Sequence, residues 1–104
     1  MTFKKIATLE ELWQGEKKGM IVEGKHVLLI HFNEAIYAYE DRCAHKGVAL
    51  SEGTLSGQTL ICSAHHWQYD ICSGKGTNPS SASLKKFPVR VDNGDILVDL
   101  DVVT

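Results

Sequence analysis

Several functions are excluded by what this sequence lacks. No apolar run approaches the roughly 18 residues that a membrane-spanning helix needs. The opening Met1 to Leu12 stretch has no long apolar segment of the secretory kind, so a cytoplasmic protein is expected and a membrane is not an expected partner. Positive charge is not in excess: 11 Lys and Arg against 13 Asp and Glu leave a net charge of −2. That balance offers no field to hold a phosphate backbone, and nucleic acid is not an expected partner. The GxGxxG, GxxxxGKS/T and GxSxG patterns are absent, which removes the common dinucleotide, P-loop and hydrolase sites. With 104 residues the chain reads as one domain over 1–104, too small for a nucleotide site of its own beside a core. Chemistry, if any, is expected to rest on a bound cofactor.

Cysteine is scarce but informatively placed. There are three, Cys43, Cys62 and Cys72, and five histidines, His26, His31, His45, His65 and His66. An odd count without a secretory segment does not suggest a disulfide framework. Cys72 reads as a small apolar filler. Cys43 and Cys62 differ, because each is followed closely by a histidine.

Alternation and turn residues predict an all-β chain of many short strands. Thr2 to Ala7 reads as a first strand. Thr8-Leu9-Glu10-Glu11 has the form of a capping box, which predicts one helical turn through Leu12 and Trp13. Strands are expected over Met20 to Val22 and Val27 to Phe32, joined at Glu23-Gly24-Lys25. The second is nearly all apolar, as in a strand covered on both faces. Asn33-Glu34 turns the chain into another strand, Ala35 to Tyr39. Two more are expected over Thr59 to Cys62 and Trp67 to Ile71, and 73–83 reads as a long polar loop. The end is a hairpin around Asn93-Gly94, the preferred two-residue turn pair. The predicted architecture is a small antiparallel β-sandwich interrupted, over about 41–83, by an inserted subdomain of two Cys/His loops.

Those loops carry the chemistry. Cys43-Ala44-His45 is followed, after sixteen intervening residues, by Cys62-Ser63-Ala64-His65. Zinc accepts two thiolates and two imidazoles, and a structural zinc module is the non-redox alternative. Zinc fingers, however, usually pair Cys with Cys and His with His. Here each loop supplies one of each. A Cys-x-His step in extended chain points both side chains the same way. With a second loop, the Cys-x-x-His of Cys62 to His65, two thiolates are expected at one depth and two imidazoles at another. A [2Fe–2S] cluster with one thiolate-bound and one imidazole-bound iron needs that layering.

The sequence resembles the Rieske family on these ligands and on His65-His66-Trp67-Gln68-Tyr69-Asp70. The resemblance spans essentially the whole chain. It leans toward the ferredoxin components of bacterial toluene-type and related di-iron monooxygenases. The words that carry this are Phe3-Lys4-Lys5-Ile6, Leu12-Trp13 with Gly15-Glu16, Leu50-Ser51-Glu52-Gly53, and Gly76 with Asn78-Pro79. It implies one [2Fe–2S] cluster, with Cys43 and Cys62 on the inner iron and His45 and His65 on the outer. It also implies an electron carrier and not an enzyme. The carrier would take single electrons from an NADH-dependent flavin reductase and pass them to the hydroxylase of an aromatic monooxygenase. The ferredoxin of an aromatic-ring dioxygenase and a subunit of an assimilatory nitrite reductase need the same ligands and stay open. A complete Rieske oxygenase needs a further mononuclear iron site, for which the remaining His26, His31 and His66 show no suitable spacing.

By the same resemblance, Val48 and Ala64 stand where respiratory Rieske proteins place a disulfide, and Trp67 where they place a serine. Both differences point to the low end of the roughly −150 to +300 mV Rieske range. Tyr69 runs the other way if its hydroxyl donates to the Cys43 sulfur. Pro79 is expected in a third loop over the cluster. Trp67 reads as packing beneath the loops, and His66 as an exposed neighbour of a ligand. His26 and His31 read as structural, and Lys46 as a charge that could steer an acidic partner. A carrier that visits two partners in turn needs small, quickly released interfaces, so a monomer is expected.

Overall fold

A computed structural model describes residues 3–42, 49–63, 66–78 and 83–101. Within them the chain is all-β, with one short 3-10 turn at Leu50–Glu52. The strands are β1 (Lys4–Thr8), β2 (Lys17–Val22), β3 (Lys25–Phe32), β4 (Ala35–Glu40), β5 (Thr54–Ser56), β6 (Thr59–Ile61), β7 (Gln68–Asp70), β8 (Gly76–Asn78), β9 (Lys86–Phe87), β10 (Val89–Asp92) and β11 (Asp95–Val98). They form three sheets, in the orders β1-β11-β10, β2-β3-β4-β9 and β5-β6-β7-β8. Every strand pair is antiparallel.

The apolar run in β3 explains how the sheets stack. Val27, Leu28, Leu29 and Ile30 are all buried completely. Side chains alternate across a strand, so two face each way. Val27 and Leu29 join Ala7, Ala38, Phe87, Ile96 and Val98 in a core between the β1-β11-β10 sheet and the β2-β3-β4-β9 sheet. Leu28 and Ile30 join Tyr39, Leu60, Tyr69 and Ile71 in a second core, shared with the β5-β6-β7-β8 sheet. The β2-β3-β4-β9 sheet is therefore the middle layer. The expected sandwich is its packing on the β1-β11-β10 sheet, and the chain between β4 and β9 adds a third layer.

Local chemistry sets the turns. Asn93 and Gly94 both take positive φ, 53° and 84°, as the tight β10–β11 hairpin requires. Pro88 has no N–H to give a ladder, and there the chain changes sheets. Just before it Phe87 pairs with Ala38 of the middle sheet, and just after it Val89 pairs with Val98 of the other. The alternating run Phe87, Val89, Val91 thus serves two sheets, and Val91 ends up 45% exposed.

Two expectations need correction. The chain after β1 forms turns and no helical turn. Glu11 reaches back to the Thr8 backbone N–H as expected, but the Thr8 hydroxyl donates to the Glu11 carboxylate (3.2 Å) and the Glu11 N–H goes to Thr8 O (3.0 Å), so only that half of the capping box forms. Pairing with the end of β3 begins already at Gly15, whose N–H donates to His31 O (2.7 Å), which leaves no length for a helix. The polar segment 73–83 contains β8, paired to β7, and a bridge between Lys75 and Ser83. Its composition conceals a strand because the pairing comes from its neighbour.

Candidate metal centre

Of the four ligands read from the sequence, Cys62 lies among the described residues. Cys43, His45 and His65 lie outside them, as do Lys46, Val48, Ala64 and Pro79. Among the described residues no three His, Cys, Asp or Glu side chains gather as a metal site.

Cys62 is wholly buried at the end of β6. Its N–H donates to Trp67 O at 2.7 Å, directly after the Ile61–Gln68 pair, so Cys62 and Trp67 close the base of the β6–β7 hairpin loop. His66 follows in the left-handed region (φ 56°) and is exposed, as expected. Trp67 packs against the core that holds Cys62 and Tyr69, which fits its reading as packing beneath the loops.

The other Cys/His loop is closed at its base by a different device. β4 delivers Asp41, whose N–H donates to His26 O (3.0 Å) and so extends the strand pairing. The Asp41 carboxylate then accepts from both Ser51 groups, the backbone N–H at 2.7 Å and the hydroxyl at 2.8 Å. The Lys17 ammonium donates to Ser51 O. Leu50, beside this clamp, is fully buried in the same core as Cys62. Gly53 sits so close to the Ile61 carbonyl that no Cβ would fit between them. The bases of the two loops therefore meet over one core. A third closure stands nearby: Gly74 N–H donates to Asp70 O (2.8 Å), and Leu84 N–H to Gly74 O (2.7 Å).

This arrangement fits a cluster on the chemistry of its donors. A thiol with no solvent contact, at the closed base of a hairpin loop, is where a thiolate–iron bond would be shielded from water. A donor set of two Cys and two His suits one [2Fe–2S] centre.

Elsewhere among the described residues, several titratable groups are held by hydrogen bonds or burial. The Asp70 carboxyl is held below the usual carboxylate range, chiefly by the Gln58 amide (2.7 Å), with the Ser73 hydroxyl (2.8 Å) adding to it against partial desolvation. Burial pushes the Tyr39 hydroxyl well above the usual phenol range, and that hydroxyl donates to Ile71 O. Cys72 is half-buried and receives a hydrogen bond from the Tyr37 hydroxyl (3.4 Å), which raises the Tyr37 pKa. The Lys86 ammonium lies 5.4 Å from the centre of the Tyr37 ring. The filler reading of Cys72 missed this small cluster. His31 is structural as expected, with Nδ1 3.0 Å from Leu12 O. The clamp residues Asp41, Ser51 and Gly19 were also missed. The one signal for them was a glycine inside a lysine-rich edge strand, where a close backbone approach is common.

No helix of the described residues is long and apolar enough to cross a membrane. A family model for the Rieske [2Fe–2S] domain matches residues 2–88. The chain is 36% identical, over 89% of its length and 77% of the relative's, to the ferredoxin component of an alkene monooxygenase system of Xanthobacter autotrophicus. It is 33% identical to the ferredoxin component of a naphthalene 1,2-dioxygenase system of Pseudomonas putida, over 96% of this chain and 99% of that one. Its structure is similar to the ferredoxin of carbazole 1,9a-dioxygenase from Nocardioides aromaticivorans. The TM-score there is 0.85 at 27% identity, covering 94% and 97% of the two chains.

Proposed function

This chain belongs to the Rieske [2Fe–2S] family and carries one cluster of that type, and from that premise we propose that it supplies single electrons to the di-iron hydroxylase of an aromatic, toluene-type monooxygenase. An NADH-dependent flavin reductase is its electron source. The protein is an electron-transfer component and not itself an enzyme, in keeping with relatives that are ferredoxin components of oxygenase systems. It works as a single domain over 1–104, as a monomer, in the cytoplasm.

Cys43 and Cys62 would hold one iron, and His45 and His65 the other. The cluster supplies one-electron redox chemistry when bound. The chain's own residues do the rest. Buried Cys62 keeps water from its sulfur, and the hydrogen bond from its N–H to Trp67 O fixes the loop that carries His65. Trp67 and Tyr69 fill the space beneath. A hydrogen bond from the Tyr69 hydroxyl to the Cys43 sulfur would raise the potential.

The observation that supports the ligand assignment is that buried Cys62 and Leu50, at the bases of the two Cys/His loops, belong to one core. The relative from the alkene monooxygenase system favours a monooxygenase partner. The naphthalene dioxygenase ferredoxin, matched over nearly the whole chain, favours the second reading, an aromatic-ring dioxygenase. Stopped-flow mixing decides between them. The protein, reduced by NADH and a flavin reductase, is mixed with a di-iron hydroxylase or with a Rieske dioxygenase. Faster reoxidation by the hydroxylase is the expected result, and faster reoxidation by the dioxygenase replaces the first reading with the second. Iron, zinc and sulfide analysis tests the ligands. Replacing any of the four by Ser or Ala is expected to abolish the Rieske EPR signal, and a variant that keeps it removes that residue from the set.

A further inference from the structure

We propose that Asp41, clamped to Ser51, is a positioning residue for the first Cys/His loop and sets the geometry that Cys43 and His45 present to the cluster. This rests on the ligand assignment above.

Asp41 is only 6% exposed. Burying a carboxylate is costly unless its oxygens are hydrogen-bonded. Here each oxygen has its own donor, and both donors belong to Ser51, at 2.7 and 2.8 Å. Two parallel bonds between the same two residues fix their rotation as well as their separation. The chain between them contains Cys43 and His45.

The clamp is itself held from outside the loop. Asp41 N–H is tied to His26 O of β3, and Ser51 O to the Lys17 ammonium of β2. Gly19 of β2 lies directly against it. A Cβ at that position would come 2.5 Å from Ser51 Oγ and 2.7 Å from Asp41 Oδ2. Nothing bonded to the ligands themselves makes these contacts. Among the described residues the central sheet thus meets the base of the cluster loop at the Asp41–Ser51 clamp, and the Asp41 carboxylate can be altered without touching a ligand.

The test uses the cluster-loaded full chain with Asp41→Ala, Asp41→Asn, Ser51→Ala and Gly19→Ala. For each, the midpoint potential, the EPR g-values after dithionite reduction and the rate of iron release to a chelator are measured. Asp41→Ala is expected to shift the g-values and potential and to speed iron release about thirtyfold, the weight of the two hydrogen bonds it removes. Asn can accept from Ser51 N–H and donate to Ser51 Oγ, so Asp41→Asn is expected to restore values near those of the parent. Gly19→Ala is expected to move all three readouts the same way as Asp41→Ala, by pushing the clamp open without removing a hydrogen-bonding group. If Asp41→Ala does not fold, Gly19→Ala and Ser51→Ala carry the same comparison.

Parent-like potential, g-values and release rate in Asp41→Ala overturn the proposal. So does an Asp41→Asn variant as altered as Asp41→Ala. Cys43→Ser separates this from the ligand assignment: loss of the Rieske signal there upholds the ligand whatever the clamp variants do, and its survival there overturns the ligand and the clamp's role together.

Discussion

The two faces of β3 pack against very different cores. On one side, Val27 and Leu29 meet aliphatic side chains and Phe87, with no polar side-chain atom among the buried members. On the other, Leu28 and Ile30 meet Tyr39, Tyr69 and Cys62 as well as leucines. The first core is held mainly by volume and area, although the wholly buried Asp99 lies between two of its members, Val98 and Leu100. The second must also place hydroxyls and a thiol, and buried polar groups require defined partners. Scaffold and site are thus divided by a single strand.

The largest test of that division is Cys62→Ser. It is expected to remove the cluster entirely, seen as loss of the EPR signal and of bound iron. Far-UV circular dichroism should still report the sheets of the aliphatic core. Collapse of both together would show that the faces are not separable.

Next in size are two neighbouring truncations. Leu28→Ala and Leu29→Ala each remove a fully buried side chain, at a cost of about 2–5 kcal/mol. Urea unfolding should show similar losses for both. Only Leu28→Ala should also hasten iron release, because its cavity opens in the core that contains Cys62.

A smaller effect is expected from Tyr69→Phe, which keeps the ring in that core and removes its hydroxyl. The midpoint potential should fall by about 40–60 mV, one hydrogen bond in electrochemical terms. An unchanged potential would remove the proposed bond to the Cys43 sulfur.

The smallest concerns pH. The Asp70 carboxyl titrates below its ordinary range because Gln58, and then Ser73, hydrogen-bond it. Its stabilisation is therefore complete above the unfolded carboxyl's pKa and fades as pH falls through the lower folded one. Asp70→Asn should lower Tm slightly at neutral pH and flatten the acid decline, as measured by a Tm series in pH.

Much of the scaffold was legible because it follows local rules. The Asn93-Gly94 hairpin and the doubly buried β3 are where alternation and turn chemistry place them. The four-residue donor pattern led to the family because few centres demand mixed Cys/His loops. What was not legible depends on distant partners. β8 has no alternation of its own and exists through β7. The change of sheet at Pro88 depends on β4 and β11 standing on either side. Asp41 and Ser51 are ordinary polar residues in sequence, and only the approach of Gly19 shows why both are needed. Tyr37 and Cys72, 35 positions apart, meet because β4 runs past the turn after β7.

The pairing of β4 with β9, Ala38 with Phe87 and Tyr39 with Lys86, has a consequence for how such a protein could be built. The chain leaves the central sheet for the third layer from one strand and returns on the very next, so exit and entry stand one strand spacing apart, about 5 Å. Everything between behaves as a cassette with adjacent ends. A short turn could seal the host where the cassette was cut out. Any exposed antiparallel pair on another protein already offers two ends at the right separation to receive it.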